Sequence, residues 1–223
     1  MSTIALALLL LLLPQAAPPN QSLAPVTDDP ALPRVLLIGD SISIGYTLPV
    51  RESLKGKANV HRIPENAAHT RHGVEKIDGW LGDTQWDVIH FNFGLHDLKI
   101  MESGAHQVSI GQYEANLRTL VTKLKKTGAR LIWTTTTPVP PGKLSPPRQP
   151  GDVAMFNAAA RRVMDEAAGI AIDDLYAFAL PRLQEIQLPV NVHFTEEGSR
   201  VLARAVVEAI EAELKNAATA SRR

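Results

Sequence analysis

The chain has 223 residues, 45% of them hydrophobic and 21% charged, with a formal net charge of +0. That length and balance suit one globular domain with a sizeable core, and neutrality argues against an electrostatic grip on nucleic acid or an anionic membrane. No cysteine is present, which excludes disulfides, thiolate metal sites and a lipidated cysteine anchor.

The chain begins MSTIALALLLLLLPQAAPPNQ. The apolar run from Ile4 to Leu13 is too short for a comfortable membrane span. Ala16 and Ala17 follow, then a Pro-rich tether through Pro33. The pattern reads as a secretory signal peptide, although no Lys or Arg precedes the apolar core; an uncleaved N-terminal anchor is the alternative. The expected organisation is a signal peptide and the start of the tether over 1–24, a linker over 25–33, one domain over 34–215 and a flexible tail over 216–223. The expected location is secreted or periplasmic, with no membrane span in the mature chain.

From residue 34 short apolar runs alternate with helical patterns. Arg34–Gly39 is a continuous Val/Leu/Ile run, suited to a strand buried on both faces. It runs straight into Asp40, Ser41 and a helix-like segment. Val60–Pro64 is a weaker strand. Trp86–Phe93 and Arg130–Thr137 are rich in aromatic and β-branched residues, and Ile170–Ile172 is a short fifth. Gln112–Thr127 sets Tyr113, Leu117, Leu120, Val121 and Leu124 on one helical stripe, with Ser109 and Gln112 as a capping box and Gly128 as the stop. Val153–Ala168 and Glu196–Lys215 repeat the helical pattern, the latter capped by Thr195. Alternation of this kind implies parallel strands joined by right-handed crossovers. Residues 138–152, PVPPGKLSPPRQPGD, form a Pro-rich loop after the fourth strand.

In an open parallel sheet, ligands bind beyond the carboxyl ends of the strands. That rim receives Ser41, the Glu65–His69 segment, Gly94-Leu95-His96-Asp97, Thr137, Asp173 and Asp174, and Asn191-Val192-His193. A serine hydroxyl needs a base to become a nucleophile, and imidazole is the usual one. Ser41 alone reads equally well as a helix cap, and His193 alone reads better as a structural residue. Together on one rim they favour catalysis. His69 and His72 read as a surface pair, because no carboxylates complete a metal set. No metal or other cofactor is expected.

The ordered blocks Gly39-Asp40-Ser41, Gly94-Leu95-His96-Asp97 and Val190-Asn191-Val192-His193 resemble those of SGNH hydrolases, the GDSL esterase/lipase superfamily, over about residues 34–212. The resemblance implies a flavodoxin-like three-layer α/β/α sandwich, with a parallel five-stranded sheet in the order 2-1-3-4-5. It also implies hydrolysis of small-molecule or carbohydrate esters through an acyl-enzyme, with Ser41 as nucleophile, His193 as base and the Ser41 backbone N–H as an oxyanion donor. Three positions depart from the family pattern. The second-block glycine has no clear counterpart; Ala68 is the first substitute, its backbone N–H serving if φ is negative, and Gly73 the other. His96 stands at the family's asparagine and becomes the side-chain oxyanion donor. Val190 stands at the triad aspartate, so the imidazole needs another orienting group, with Asp174 the first substitute and Asn191 the second. An acyltransferase and a non-catalytic ligand-binding relative are the alternative readings.

Overall fold

The computed structural model describes residues 20–220; the apolar run expected as a signal peptide lies outside them. Five strands form one sheet: β1 (Arg34–Ile38), β2 (Asn59–Arg62), β3 (Val88–Phe91), β4 (Arg130–Thr134) and β5 (Ile170–Asp173). Every neighbouring pair is parallel and the order is β2-β1-β3-β4-β5, as expected. The register sets Leu36 opposite both His61 and Ile89, and His90 opposite Ile132. The central strands read as unbroken apolar runs because both their faces are covered, and Val35, Leu37, Val88, Ile89, Phe91, Ile132 and Trp133 are fully buried.

The helices are α1 (Ser41–Ser53), α2 (Thr70–Leu81), α3 (Ile110–Lys126), α4 (Pro150–Ala167), α5 (Leu175–Ala179), α6 (Leu183–Ile186) and α7 (Glu196–Ala220). They form two layers, α1 packing on α7 and α3 packing on both α2 and α4. The apolar stripe of α3 is buried along its length, from Tyr113 to Leu124. Ser109 caps its start through the N–H of Gln112, and Gly128 follows its end at φ +73°, a left-handed conformation that glycine adopts without steric cost.

Several boundaries differ from expectation. β4 stops at Thr134, where the sequence predicts a strand to Thr137. The N–H of Thr135 donates to Asp173 O and that of Thr136 to Asn157 Oδ1, which turns the chain towards β5 and α4. The helix α7 continues to Ala220, past the expected start of a tail at 216. Residues 20–33, which include the expected linker, are hydrogen-bonded to the domain. Arg51 donates to Gln21 O and Ala24 O, Asn59 exchanges hydrogen bonds with Asp29 and donates to Leu32 O, and Asp28 pairs with Arg34 and His61.

Candidate active site

The turn from β1 into α1 is built from its neighbours' needs. Asp40 is buried and caps α1, its Oδ1 accepting from Ile42 N at 2.9 Å. Burial holds the Asp40 carboxyl above the usual range, with Ile42 N–H and Arg62 opposing. Gly39 has to be glycine, since a Cβ there would lie 2.8 Å from Ser43 Cβ. The Arg62 guanidinium, at the end of β2, donates to Gly39 O, Asp40 O and Ser43 Oγ, bracing the turn from behind. Ser41 is thereby left as the first residue of α1, half-buried at the rim. Its N–H, at the helix start, has no intrahelical acceptor.

Opposite it, the loop before α7 carries His193. Leu188 N donates to His193 O at 3.0 Å, and Thr195 Oγ1 caps α7 through Gly198 N at 2.9 Å. His193 Nε2 lies 2.8 Å from Ser41 Oγ, and its Nδ1 lies 2.8 Å from Asn191 Oδ1. The same Oδ1 accepts from the backbone N–H of His193 at 3.0 Å, so the amide oxygen faces the ring. Nδ1 must then carry the proton, and Nε2 is free to accept from the Ser41 hydroxyl.

Asp174, the first substitute for the missing acid, does not orient the imidazole. Its Oδ1 caps α5 through Ala177 N at 3.1 Å and accepts from Thr135 Oγ1 at 2.9 Å. The end of β5 delivers it to a helix start, and Nδ1 of His193 is served by Asn191. Val190 turns outward, 53% exposed, at φ +49°.

On the other side of Ser41, His96 Nδ1 lies 3.0 Å from Lys99 Nζ. An ammonium only donates, so Nδ1 accepts and the ring proton sits on Nε2. Burial, with Lys99 and Arg148 nearby, pushes the His96 imidazolium down to about 3, so the ring is a neutral donor. Asp97, beside it, takes Thr70 N and Thr70 Oγ1 on Oδ1, at 2.9 and 2.5 Å, and ties this loop to the start of α2. His69 caps α2 by accepting from His72 N, and His72 reaches Glu65.

Ala68 departs from the condition set for it. Its φ is +52° and its N–H donates to Asn66 Oδ1 at 2.8 Å. Asn66, which pattern reading passes over, lines the cleft instead. Its Oδ1 is spent on Ala68, so its NH2 group is left as a donor; the only sequence signal was its place in the rim segment. Gly73, the other substitute, packs in α2 against the Phe93 ring. Among the described residues no group of three or more His, Cys, Asp or Glu could hold a metal ion.

Ser41, Asn66, His96, Asn191 and His193 line one cleft of about 290 Å³, together with Leu144, Ser145, Pro146 and Arg148 of the Pro-rich loop. A nucleophile-base pair and nearby N–H donors are the parts an acyl transfer needs.

Comparison with known proteins bears on the fold and the family. Solved structures that share the fold include the following three. An acetyl xylan esterase, AlAXEase, superposes with a TM-score of 0.68 at 18% identity, covering 79% of this chain and 99% of that one. A lipase/acylhydrolase from Enterococcus faecalis gives 0.69 at 18%, covering 81% and 96%. The acetylxylan esterase Axe2 from Geobacillus stearothermophilus gives 0.64 at 17%, covering 80% and 94%. No curated protein sequence matches the chain. The model of the GDSL-like Lipase/Acylhydrolase family matches residues 37–201, from the end of β1 to the first turns of α7, and so includes β2 to β5 and every block of the cleft. The chain therefore belongs to the GDSL-like lipase/acylhydrolase family and is an ester hydrolase of the SGNH type.

Proposed function

We propose that the chain is an exported serine esterase that works through an acyl-enzyme on Ser41. The observation that carries the reading is the 2.8 Å approach of His193 Nε2 to Ser41 Oγ. As Ser41 Oγ bonds to the ester carbonyl carbon, its proton passes to Nε2, and Asn191 Oδ1 holds Nδ1–H throughout. The negative charge that develops on the carbonyl oxygen is met by the Ser41 N–H and His96 Nε2–H, with the Asn66 amide as a third donor. Collapse breaks the ester C–O bond, and the leaving alkoxide takes the proton from Nε2. Water, deprotonated by the same nitrogen, then releases the acid and restores Ser41. Because the Ser41–His193 pair is open to solvent, hydrolysis is favoured over transfer to another alcohol. Export rests on the apolar run of residues 4–13 and the small residues after it. O-acetylated carbohydrate is the substrate type suggested by the acetylxylan esterases that share the fold.

A fluorophosphonate probe tests the assignment. The expected result is one adduct on Ser41 by intact-mass and peptide mass spectrometry, lost in Ser41→Ala and unaffected by EDTA. Folded protein that takes no adduct from probes of several sizes would remove the acyl-enzyme.

A further inference from the structure

The cleft beside Ser41 is not electrically neutral. Of its lining residues, Lys99 and Arg148 carry formal positive charge, and none is a carboxylate. Neither cation forms an ion pair with any described acid, although the surface of this chain holds many such pairs.

Arg148 comes from the Pro-rich loop and is only 7% exposed. Its Nε donates to Leu95 O at 2.8 Å and its Nη1 to Pro146 O at 3.2 Å. Two carbonyls fix the plane of the guanidinium and leave Nη2 without a protein acceptor. Lys99 spends one N–H on His96 Nδ1 and keeps two. Burial lowers the pKa of both groups, a sign that their charge is held at a cost. The acids whose fields reach them, Asp40 and Asp97, are themselves buried, make no contact with either cation, and are pushed towards the neutral form by that burial. A cation out of bulk water without a paired anion is unfavourable, and an arriving anion would offset that cost.

We propose that this cleft selects esters that carry an anionic group, such as a carboxylate, close to the reacting carbonyl, and that Arg148 and Lys99 are the residues that recognise it. The proposal rests on the reading of Ser41 as nucleophile and adds the class of substrate. A guanidinium held flat by its own Nε and Nη1 offers a directed N–H to a carboxylate oxygen, and the nearby ammonium adds an undirected charge. The anion can belong to the acid half of the ester, as in a half-ester of a dicarboxylic acid, or to the alcohol half, as in an acylated uronic acid.

Two matched pairs separate these sources, each measured on the full chain at low salt. Monoethyl glutarate is compared with ethyl pentanoate for the acid half. An O-acetylated uronic acid is compared with its own methyl ester for the alcohol half. The anionic member of at least one pair should have a kcat/KM about tenfold higher, a ratio that shrinks as salt is raised. Arg148→Gln should bring the ratio close to one and Arg148→Lys should keep part of it; a ratio taken within one enzyme is insensitive to a general loss of activity. Ratios of one or less in both pairs would overturn the proposal and leave the esterase reading standing. If Arg148→Gln does not fold, competitive inhibition of the wild type decides: glutarate should inhibit in a salt-sensitive way and neutral glutaramide should not, and equal inhibition would overturn the proposal. No turnover of any ester, together with no Ser41 adduct, would remove the esterase reading itself. Glutarate binding by calorimetry would then decide the anion site alone, its absence overturning it.

Discussion

In the proposed mechanism Asn191, 2.8 Å from His193 Nδ1, does with an amide what a carboxylate commonly does beside a catalytic histidine. In a serine protease, replacing the triad aspartate by asparagine costs about 10⁴ in kcat, because the amide can present its NH2 and select the wrong tautomer. Here that failure is blocked: the backbone N–H of His193 binds Asn191 Oδ1 at 3.0 Å and keeps the oxygen towards Nδ1. What the amide lacks is negative charge to stabilise the imidazolium. Asn191→Ala should therefore lower kcat by about 10²-fold or more, while Asn191→Asp should keep or raise it. Asp174→Asn should stay near wild type, since asparagine caps a helix as well as aspartate does. Steady-state kinetics with circular dichroism controls would check all three, and a large loss in Asp174→Asn would overturn this assignment of the orienting group.

The element that aims His193 is the start of α7, and its placement depends on a close approach. Thr195 N and Thr195 Oγ1 both donate to Ile186 O, at 2.9 and 3.2 Å, which ties α7 to the end of α6. Gly198 lies over the same carbonyl, and a Cβ there would sit 2.1 Å from Ile186 O. That contact is with backbone, so relief requires α7 or α6 to move. Gly198→Ala should cost about 1–3 kcal/mol. For a domain of this size, each kcal/mol lowers Tm by roughly 2–4 °C. Activity should fall further than stability accounts for, because His193, five residues before Gly198, sits on the loop that leads into α7. Thermal unfolding beside kcat measured well below Tm separates the two effects, and an unchanged Tm would show that α7 and α6 do not approach closely enough to exclude a Cβ at position 198.

At the scale of the whole molecule, the N-terminal segment and the strand order do one job together. Residues 20–33 run along α1 and the edge strand β2, held by Arg51 and Asn59, so one edge of the sheet is partly covered. The other global consequence is a dependence of stability on pH. His96 has a folded pKa lowered to about 3 from 6.5, chiefly by burial. The unfolded chain therefore takes up this proton first as pH falls. The contribution is fully present above about 6.5 and is lost progressively as pH falls towards 3. His96→Asn has no such titration, so the wild-type Tm should fall relative to this variant between pH 6.5 and 4. A constant difference in Tm across that interval would mean that His96 titrates normally in the folded chain.

Much of this protein follows from local order along the chain. Four of the five strands are legible because each is a short apolar or β-branched run, β2 (Asn59–Arg62) less so with Val60 its one apolar residue, and the three long helices because their apolar residues recur at 3–4 spacing. The ordered blocks around Ser41, His96 and His193 are legible as well, since each is contiguous. α5 and α6, of five and four residues, are not, because so short a helix has no period to detect. The start of α2 depends on the ring of His69, an uncommon cap that no local pattern announces. The choice between Asp174 and Asn191 was equally closed to pattern reading. Both are polar residues on the same rim, and a carboxylate is the better partner for imidazole in the abstract. Tertiary structure decided it: β5 hands Asp174 to the start of α5, whereas the bend at Val190 returns Asn191 Oδ1 to within 2.8 Å of Nδ1. The same holds for Ala68, whose N–H is taken by Asn66, and for Lys99, which sets the tautomer of His96. Residue types and their order determine which groups reach the rim. Only the packed backbone determines which atom of each meets which, because hydrogen bonds are decided over tenths of an ångström.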